Sequence, residues 1–157
     1  RGVCSFALMF LVDRAAAVAE LRRVLAPGGA VAVATWADVG RSPGYAAMIG
    51  LLDRLFGPAA ADALRAPFCL GDPAGLAAIV APAFPDVVVE EQDGVARFPS
   101  LDAWVRTDIK GWTLADAIDD DGLERLLAEA RTELAGFVAA DGTVRFPAPA
   151  LVATASA

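Results

Sequence analysis

The sequence is poor in the residues that most enzymes use for acid–base and metal chemistry. It has no histidine and two cysteines among 157 residues. Without histidine, Ser-His and Cys-His hydrolase chemistry and histidine metal sites are excluded within this chain. Cys4 and Cys69 have neither the spacing of a metal site nor that of a disulfide framework. We therefore expect no metal, and two reduced thiols in a cytoplasmic protein.

Basic charge is also scarce. The formal net charge is −7, with 13 basic and 20 acidic residues, and the basic residues are scattered singly. Binding of nucleic acid or of an anionic membrane surface needs a basic face, so we expect neither partner. No window approaches the roughly 18 apolar residues of a membrane-spanning helix, and no cationic segment leads into a cleavage pattern. We expect no membrane span and no signal peptide.

Length and composition predict one domain with a sizeable core. Of the residues, 57% are hydrophobic, and 157 residues are sufficient for a single core. There is no internal repeat and no linker, so we expect residues 1–157 to be one domain. The first residue is Arg and an apolar segment begins within two residues of it, so we expect the chain to start within a fold; a processed N-terminus is the alternative.

The N-terminal part predicts a strand, a helix and a second strand. Residues 3–8 form a short, unbroken apolar run typical of a buried strand. Asp13 can cap the next helix, whose apolar stripe ends at Pro27-Gly28. Residues 30–36 are apolar on both faces, as in a parallel strand between helical layers. This pattern predicts a βαβ unit with a right-handed crossover.

Helical patterns dominate the middle of the chain. We expect helical insertions at 38–70 and 99–141, the latter including a longer helix at about 121–140. Asp72 and Ser100 can cap further helices.

Two more strands are expected. The third lies at about 87–91, and it either ends there or continues into 95–98 after the Asp93-Gly94 turn. Because Pro147 and Pro149 cannot donate to a ladder, we expect the last strand at 151–155, with the prolines in a bend before it.

Three consecutive segments carry a family resemblance: "SFALMF" (Ser5 to Phe10), "RVLAPGG" (Arg23 to Gly29) and "AVAVATW" (Ala30 to Trp36). In this order they resemble the class I S-adenosylmethionine-dependent methyltransferases. They are most similar to methyltransferase type 11, the small-molecule group that includes the ubiquinone/menaquinone C-methyltransferases. The later segments "APFCLGDPAGLAAIV", "FPDVVVEE" and "VRFPAPALVATA" resemble the family's fifth-helix region, sixth strand and final strand. The resemblance covers essentially the whole chain.

The resemblance implies an α/β fold containing part of a Rossmann-like three-layer sheet. The strands present would be the family's strands 4, 5, 7 and 6, with the last strand antiparallel. Extra helices at 38–70 and 99–141 would form a cap on the acceptor side. The family's glycine-rich loop and acidic ribose-binding residue, which belong to its first strands, have no counterpart in this sequence. The resemblance therefore implies the C-terminal part of a methyltransferase, which we expect to be inactive alone.

The resemblance also implies a cofactor, S-adenosylmethionine. Ligands of open α/β sheets bind beyond the carboxyl ends of the strands. The residues nearest the cofactor would be those at the end of the first strand: Ser5, Phe6, Ala7 and Leu8.

The acceptor pocket would follow the family's strands 5 and 6. Aromatic residues available there suggest an apolar or aromatic small-molecule acceptor. These residues are Trp36, Tyr45, Phe68, Trp104 and Trp112.

No catalytic residue is assigned. Methyl transfer is a displacement at a sulfonium, so the protein mainly positions the acceptor and excludes water. A general base is optional, and the candidates are Tyr45, Asp38 and Asp72. Helix capping explains Asp72 better than a role as a base, and a half-buried helix position explains Tyr45 better.

Two other functions stay open. One is a non-catalytic α/β module that self-associates through the exposed edge of its first strand, the family's strand 4. The other is part of a nicotinamide-dependent oxidoreductase of related topology. The Pro-Gly-Gly stop before the second strand and the antiparallel last strand fit the oxidoreductase less well.

Overall fold

A computed structural model of the chain describes residues 1–111 and 114–157. The chain forms two compact units. Unit 1 comprises Arg1–Asp38, Pro67–Gly94 and Pro149–Ala157, and unit 2 comprises Val39–Ala66 and Val95–Ala148. The prediction of one domain, with insertions on an acceptor side, stays a prediction.

Unit 1 contains a four-stranded sheet and two helices. Its elements are β1 (Gly2–Ser5), α1 (Arg14–Val24), β2 (Ala30–Trp36), α4 (Pro73–Val80), β3 (Val88–Gln92) and β6 (Ala150–Ser156). Unit 2 is mainly helical. Its elements are α2 (Pro43–Phe56), α3 (Pro58–Arg65), β4 (Val95–Phe98), α5 (Leu101–Lys110), α6 (Asp120–Glu133) and β5 (Val144–Pro147).

The sheet of unit 1 is mixed, with the order β1-β2-β6-β3. β1 pairs with β2 in parallel, from Gly2↔Val31 to Ser5↔Ala34. β6 runs antiparallel to both β2 and β3. The family resemblance implies this strand order, with an antiparallel last strand, for these four strands.

Helices α1 and α4 pack on one face of this sheet. Val18 of α1 and Leu76 of α4 are buried in the same cluster as Val33 of β2. The paired row Val3–Ala32–Thr154–Val88 points to the other face, where Val3 is 72% and Val88 is 56% exposed. Unit 1 thus shows two layers, and the third layer stays a prediction.

The first strand is shorter than the sequence predicts. β1 ends at Ser5 because Phe6 has a left-handed backbone, with φ 51°. A short 3-10 helix, Leu8–Phe10, follows in place of the strand residues expected there. The second strand, by contrast, has the predicted bounds, Ala30–Trp36.

All three predicted helix caps are present. The side chain of Asp13 accepts a hydrogen bond from Ala16 N–H, that of Asp72 from Gly75 N–H, and that of Ser100 from Ala103 N–H. Each bond satisfies a backbone donor that would otherwise be unpaired in the first turn of α1, α4 or α5.

The core of unit 2 lies among α2, α5, α6 and the β4–β5 ladder. Trp104, Leu126 and Leu127 are fully buried there, and Phe146 is 3% exposed. The helix predicted at about 121–140 ends earlier, at Glu133, and a 3-10 turn follows.

Strand β5 was not expected from the sequence. We predicted a bend at Pro147, but Val144–Pro147 pairs antiparallel with β4, from Phe98↔Val144 to Val95↔Pro147. The proline is tolerated because it is the last residue of a strand in a two-stranded sheet, where a missing donor leaves no ladder position unpaired beyond it. The alternative that the third strand continues into 95–98 is wrong, since β4 belongs to this second sheet.

None of the helices in the described part of the chain has both the length and the apolar composition of a membrane span. Two consecutive helical segments, Pro58–Phe68 and Pro73–Val80, reach that length and composition only when they are counted together, and the chain bends between them.

Two glycines of α2 predict opposite effects on stability. A Cβ on buried Gly44 would lie 2.5–2.7 Å from ring atoms of Phe146, whereas a Cβ on exposed Gly50 would meet no atom within 4 Å. We expect Gly44→Ala to lower the free energy of unfolding by about 1–3 kcal/mol through overpacking. Gly50→Ala should raise it by about 0.5–1 kcal/mol by improving helix propensity. Urea unfolding of both variants tests this, and equal effects would contradict the packing at Gly44.

Candidate functional site

The carboxyl end of β1 carries a strained residue. Phe6 is the one non-glycine residue with a positive φ among the described residues, at 51°. This conformation costs a side-chain-bearing residue about 1–2 kcal/mol. Its N–H nevertheless donates to the carbonyl of Ala34, at 2.9 Å, which extends the pairing of β1 with β2 by one bond. The turn therefore begins at Phe6 without loosening the end of the strand.

Three aromatic rings form a row at this end of the sheet. The ring of Phe6 lies 4.3 Å from that of Trp36, the last residue of β2, with an interplanar angle of 30°. Trp36 lies in turn 6.4 Å from Phe68. The structure thus brings together one residue predicted for the cofactor and two predicted for the acceptor. We call Phe6, Trp36 and Phe68 the aromatic row.

The segment that carries Phe68 is tied to the end of β2. The hydroxyl of Thr35 donates to the carbonyl of Leu70 at 3.3 Å, and both residues are buried. Asp38 N–H donates to the carbonyl of Gly71 at 3.1 Å, and Gly71 N–H donates to the carbonyl of Phe68 at 3.0 Å. A Cβ on Gly71 would collide with the backbone of Asp38, so only glycine permits this approach. These bonds fix the position of Phe68 relative to Trp36.

The other residues predicted for the cofactor differ in exposure. Ser5 and Ala7 are exposed, whereas Leu8 is fully buried in the core of unit 1. Of this segment, Ser5, Phe6 and Ala7 therefore present surface to a ligand. Of the candidate bases in unit 1, Asp72 caps α4 through Gly75, and Asp38 is exposed.

The acceptor residues predicted in unit 2 lie in a second aromatic cluster. Tyr45 packs edge-on against Trp104 at 6.4 Å and against Phe146 at 5.1 Å. Trp104 is fully buried, and Tyr45 is partly exposed. Trp112, the remaining predicted acceptor residue, lies outside the described residues.

A buried carboxyl lies within this second cluster. Asp108 is 4% exposed, and its Oδ2 accepts a hydrogen bond of 2.7 Å from the indole N–H of Trp104. Burial raises the pKa of Asp108 to about 7, against a smaller opposing effect of the Trp104 hydrogen bond. Burial, and then the charge of Asp108, raise the pKa of Tyr45, so its phenol stays neutral.

Sequence reasoning missed Asp108, although a signal was present. Asp108 follows Trp104 by four positions and lies between the stripe residues Val105 and Ile109. An acidic residue at that helical spacing lies on the same face as Trp104. On a buried face, such a carboxyl needs a hydrogen-bond partner.

A cleft of about 490 Å³ opens at the opposite, amino-terminal end of the sheet in unit 1. Gly2, Ala30 and Val88 line it, with Asp86 and Ser156 at its polar side. Asp86 already accepts the Ser156 N–H at 3.1 Å. The cleft is therefore at the wrong end of β1 and β2 for the predicted cofactor residues.

No group of three or more His, Cys, Asp and Glu side chains with metal-binding geometry occurs among residues 1–111 and 114–157.

Comparisons with known proteins bear on the fold. No protein-family model and no curated protein matches the sequence. Thirty solved chains are structurally similar. One is the crystal structure of a putative methyltransferase from Bacillus halodurans C-125. It is 12% identical with a TM-score of 0.50, over 98% of this chain and 67% of that chain. The fold is therefore mixed α/β and compatible with a methyltransferase-like fold.

Because Asp108 is protonated in the folded state, we expect the free energy of unfolding to fall as pH rises. Because the carboxyl has a pKa of about 7 when folded and about 3.9 when unfolded, the folded state holds an extra proton between these values. Stability relative to Asp108→Asn should therefore fall as pH rises from about 4 to about 7, by on the order of 2–4 kcal/mol. Urea unfolding across this range measures the difference.

Asp116→Asn, which removes an exposed carboxyl from the same unit, is the matched control. An Asp108→Asn difference that stays constant with pH would contradict the buried, protonated carboxyl.

Proposed function

We propose that this chain belongs to an S-adenosylmethionine-dependent methyltransferase that acts on a small-molecule acceptor. The observation that carries the proposal is the strained Phe6 at the carboxyl end of β1, whose ring packs at a tilt against that of Trp36 at the carboxyl end of β2. Ser5, Phe6 and Ala7 form one wall of the cofactor site, and the partly exposed Trp36 continues this surface. The buried Phe68 supports the ring of Trp36 from within the row.

Position and chemistry both support the proposal. In open α/β sheets, ligands bind beyond the carboxyl ends of the strands, where β1 and β2 present the aromatic row. Backbone strain in a folded protein concentrates at functional sites. Aromatic faces also attract cations, and a sulfonium is a cation. The residues present thus fit the charged part of the cofactor.

In this proposal, the cofactor and the protein residues have different roles in methyl transfer. When bound, the cofactor would supply an electrophilic methyl group. The aromatic row then holds the apolar surface next to it and excludes water, while Ser5 and Ala7 border it. No residue of the row can accept a proton, so catalysis here rests on positioning.

The site is partial within this sequence. The glycine-rich loop and the acidic ribose-binding residue of the resembling family have no counterpart in residues 1–157. We therefore infer that this chain alone binds the cofactor weakly and is inactive alone. The acceptor, on this proposal, is an apolar or aromatic small molecule of the cytoplasm.

A second candidate function, self-association, is favoured by the edges of the sheet in unit 1. An edge strand is normally protected by charge, and β3 carries exposed Glu90 and Glu91. β1 has no charged residue between Gly2 and Ser5, and its Val3 is 72% exposed. Phe10, Leu11, Val12 and Val24 are also exposed large hydrophobic residues of this unit.

The cofactor proposal predicts weak, Phe6-dependent binding. In ligand-observed NMR, we expect S-adenosylhomocysteine to bind with a Kd above about 1 mM. The corresponding binding free energy is less favourable than about −4 kcal/mol. Phe6→Ala and Trp36→Ala should reduce the signal, because both remove rings of the aromatic row. Val12→Ala, at a fully exposed neighbour, is the matched control and should not.

Equal effects of Phe6→Ala and Val12→Ala would contradict the site. Micromolar binding by this chain would contradict the partial site. Stronger binding of NADH than of S-adenosylhomocysteine would favour an oxidoreductase instead.

The edge hypothesis predicts a concentration-dependent oligomer. By light scattering we expect the chain to dimerise through β1, and Val3→Lys to shift it toward the monomer, because a lysine on the edge opposes pairing. Val88→Lys, at the exposed valine of the other edge strand, is the matched control and should leave the oligomer intact. A monomer at all concentrations rules out pairing through β1.

A further inference from the structure

Arg14 bridges the two segments that carry Phe6 and Phe68 of the aromatic row. Its Nη2 donates to the carbonyl of Met9 at 3.2 Å and contacts Sγ of Cys69, also at 3.2 Å. Met9 belongs to the 3-10 turn just after Phe6, and Cys69 directly follows Phe68. All of these residues belong to unit 1.

This guanidinium has no counter-ion within the described chain. Arg14 forms no ion pair with residues 1–111 or 114–157. The adjacent carboxylate, Asp13, is used as a helix cap and accepts from Ala16 N–H at 2.8 Å. By contrast, Asp or Glu side chains pair with Arg23, Arg54, Arg106 and Arg131.

Its hydrogen-bonding capacity is also largely unused. Nε of Arg14 is buried and finds no partner among the described residues. Both hydrogen bonds to the described chain come from Nη2 alone. A guanidinium carries five N–H donors in a fork that matches a carboxylate. A half-buried cation that lacks a counter-ion and keeps a buried N–H without an acceptor is unfavourable in the protein alone.

We propose that Arg14 binds the carboxylate of a ligand that lies on the aromatic row. Nη1 would donate hydrogen bonds to the ligand's carboxylate, while Nη2 holds the guanidinium against Met9 and Cys69. This inference rests on the proposed function for its ligand. The carboxylate is that of the methionine part of the cofactor or that of an acidic acceptor.

Cys69 provides a direct assay, because its thiol is exposed and touches the guanidinium. Iodoacetate and iodoacetamide both alkylate a thiolate with loss of iodide, but only iodoacetate carries a carboxylate. Peptide mapping by mass spectrometry gives the rate at Cys69 for each reagent. We expect the iodoacetate-to-iodoacetamide rate ratio to exceed that of glutathione about two- to fivefold, the range of a partly exposed ion pair.

The ratio should fall to the glutathione value in Arg14→Gln and stay raised in Arg14→Lys, which keeps the charge. Thermal unfolding of both variants reports whether they fold. In the unsubstituted protein, sodium acetate should lower the rate at which iodoacetate alkylates Cys69. Sodium chloride at equal ionic strength should lower this rate less. Equal ratios in the unsubstituted protein and in Arg14→Gln, or no difference between acetate and chloride, would overturn the carboxylate site.

Protection of Cys69 at millimolar ligand identifies the source of the carboxylate. If the cofactor supplies it, S-adenosylmethionine protects and its decarboxylated analogue does not. If an acidic acceptor supplies it, benzoate protects and S-adenosylmethionine does not. An Arg14-dependent ratio with no protection by S-adenosylmethionine or benzoate supports the carboxylate site and contradicts the proposed function, so the two failures are distinguishable.

Discussion

The pairing of β2 with β6 is the interaction on which unit 1 depends. Seven consecutive residue pairs join the two strands, from Ala30↔Ser156 to Trp36↔Ala150. A further bond from Ala37 N–H to the carbonyl of Pro149 extends the antiparallel contact beyond the last pair. Among the described residues, β1 pairs only with β2, and β3 pairs only with β6. The β2–β6 pair is therefore what joins the two outer strands into one sheet.

The carboxyl end of β2 is thereby fixed from several sides, and the aromatic row follows from it. Trp36 is held by the ladder, and Phe68 by the bonds of Thr35 and Asp38 to its segment. Phe6 then completes the row through a left-handed turn. An aromatic pair contributes about 0.5–1.5 kcal/mol beyond burial, comparable to the strain of about 1–2 kcal/mol at Phe6. The contact with Trp36 and the bond to Ala34 together can therefore hold a conformation that Phe6 alone disfavours.

The predictable features were those encoded locally. The apolar run 30–36 has the bounds of β2, and Asp13, Asp72 and Ser100 cap helices because short polar side chains satisfy free N–H groups wherever a helix begins. The left-handed turn at Phe6 was not predictable, since glycine or asparagine signals such a turn and phenylalanine does not.

Long-range placements were likewise hidden from the sequence. Arg14 and Cys69 meet across 55 positions, and no local pattern links them. Strand β5 was missed because Pro147 and Pro149 outweighed the apolar–polar alternation of Val144, Arg145 and Phe146. The strand order came from the family resemblance, since pairing depends on contacts that periodicity does not specify.

The two aromatic clusters differ in a way that decides their roles. The row in unit 1 lies at strand ends and includes the partly exposed Phe6 and Trp36, so it can meet a ligand. In unit 2, Trp104 has no exposed surface, and its indole N–H is satisfied by Asp108. Removing that carboxyl would leave a buried donor unpaired, which costs about 1–3 kcal/mol. Asp108 therefore fixes the orientation of Trp104 within the core of unit 2. Of the two aromatic residues predicted to contact an acceptor in this cluster, Trp104 and Tyr45, Tyr45 alone keeps exposed surface.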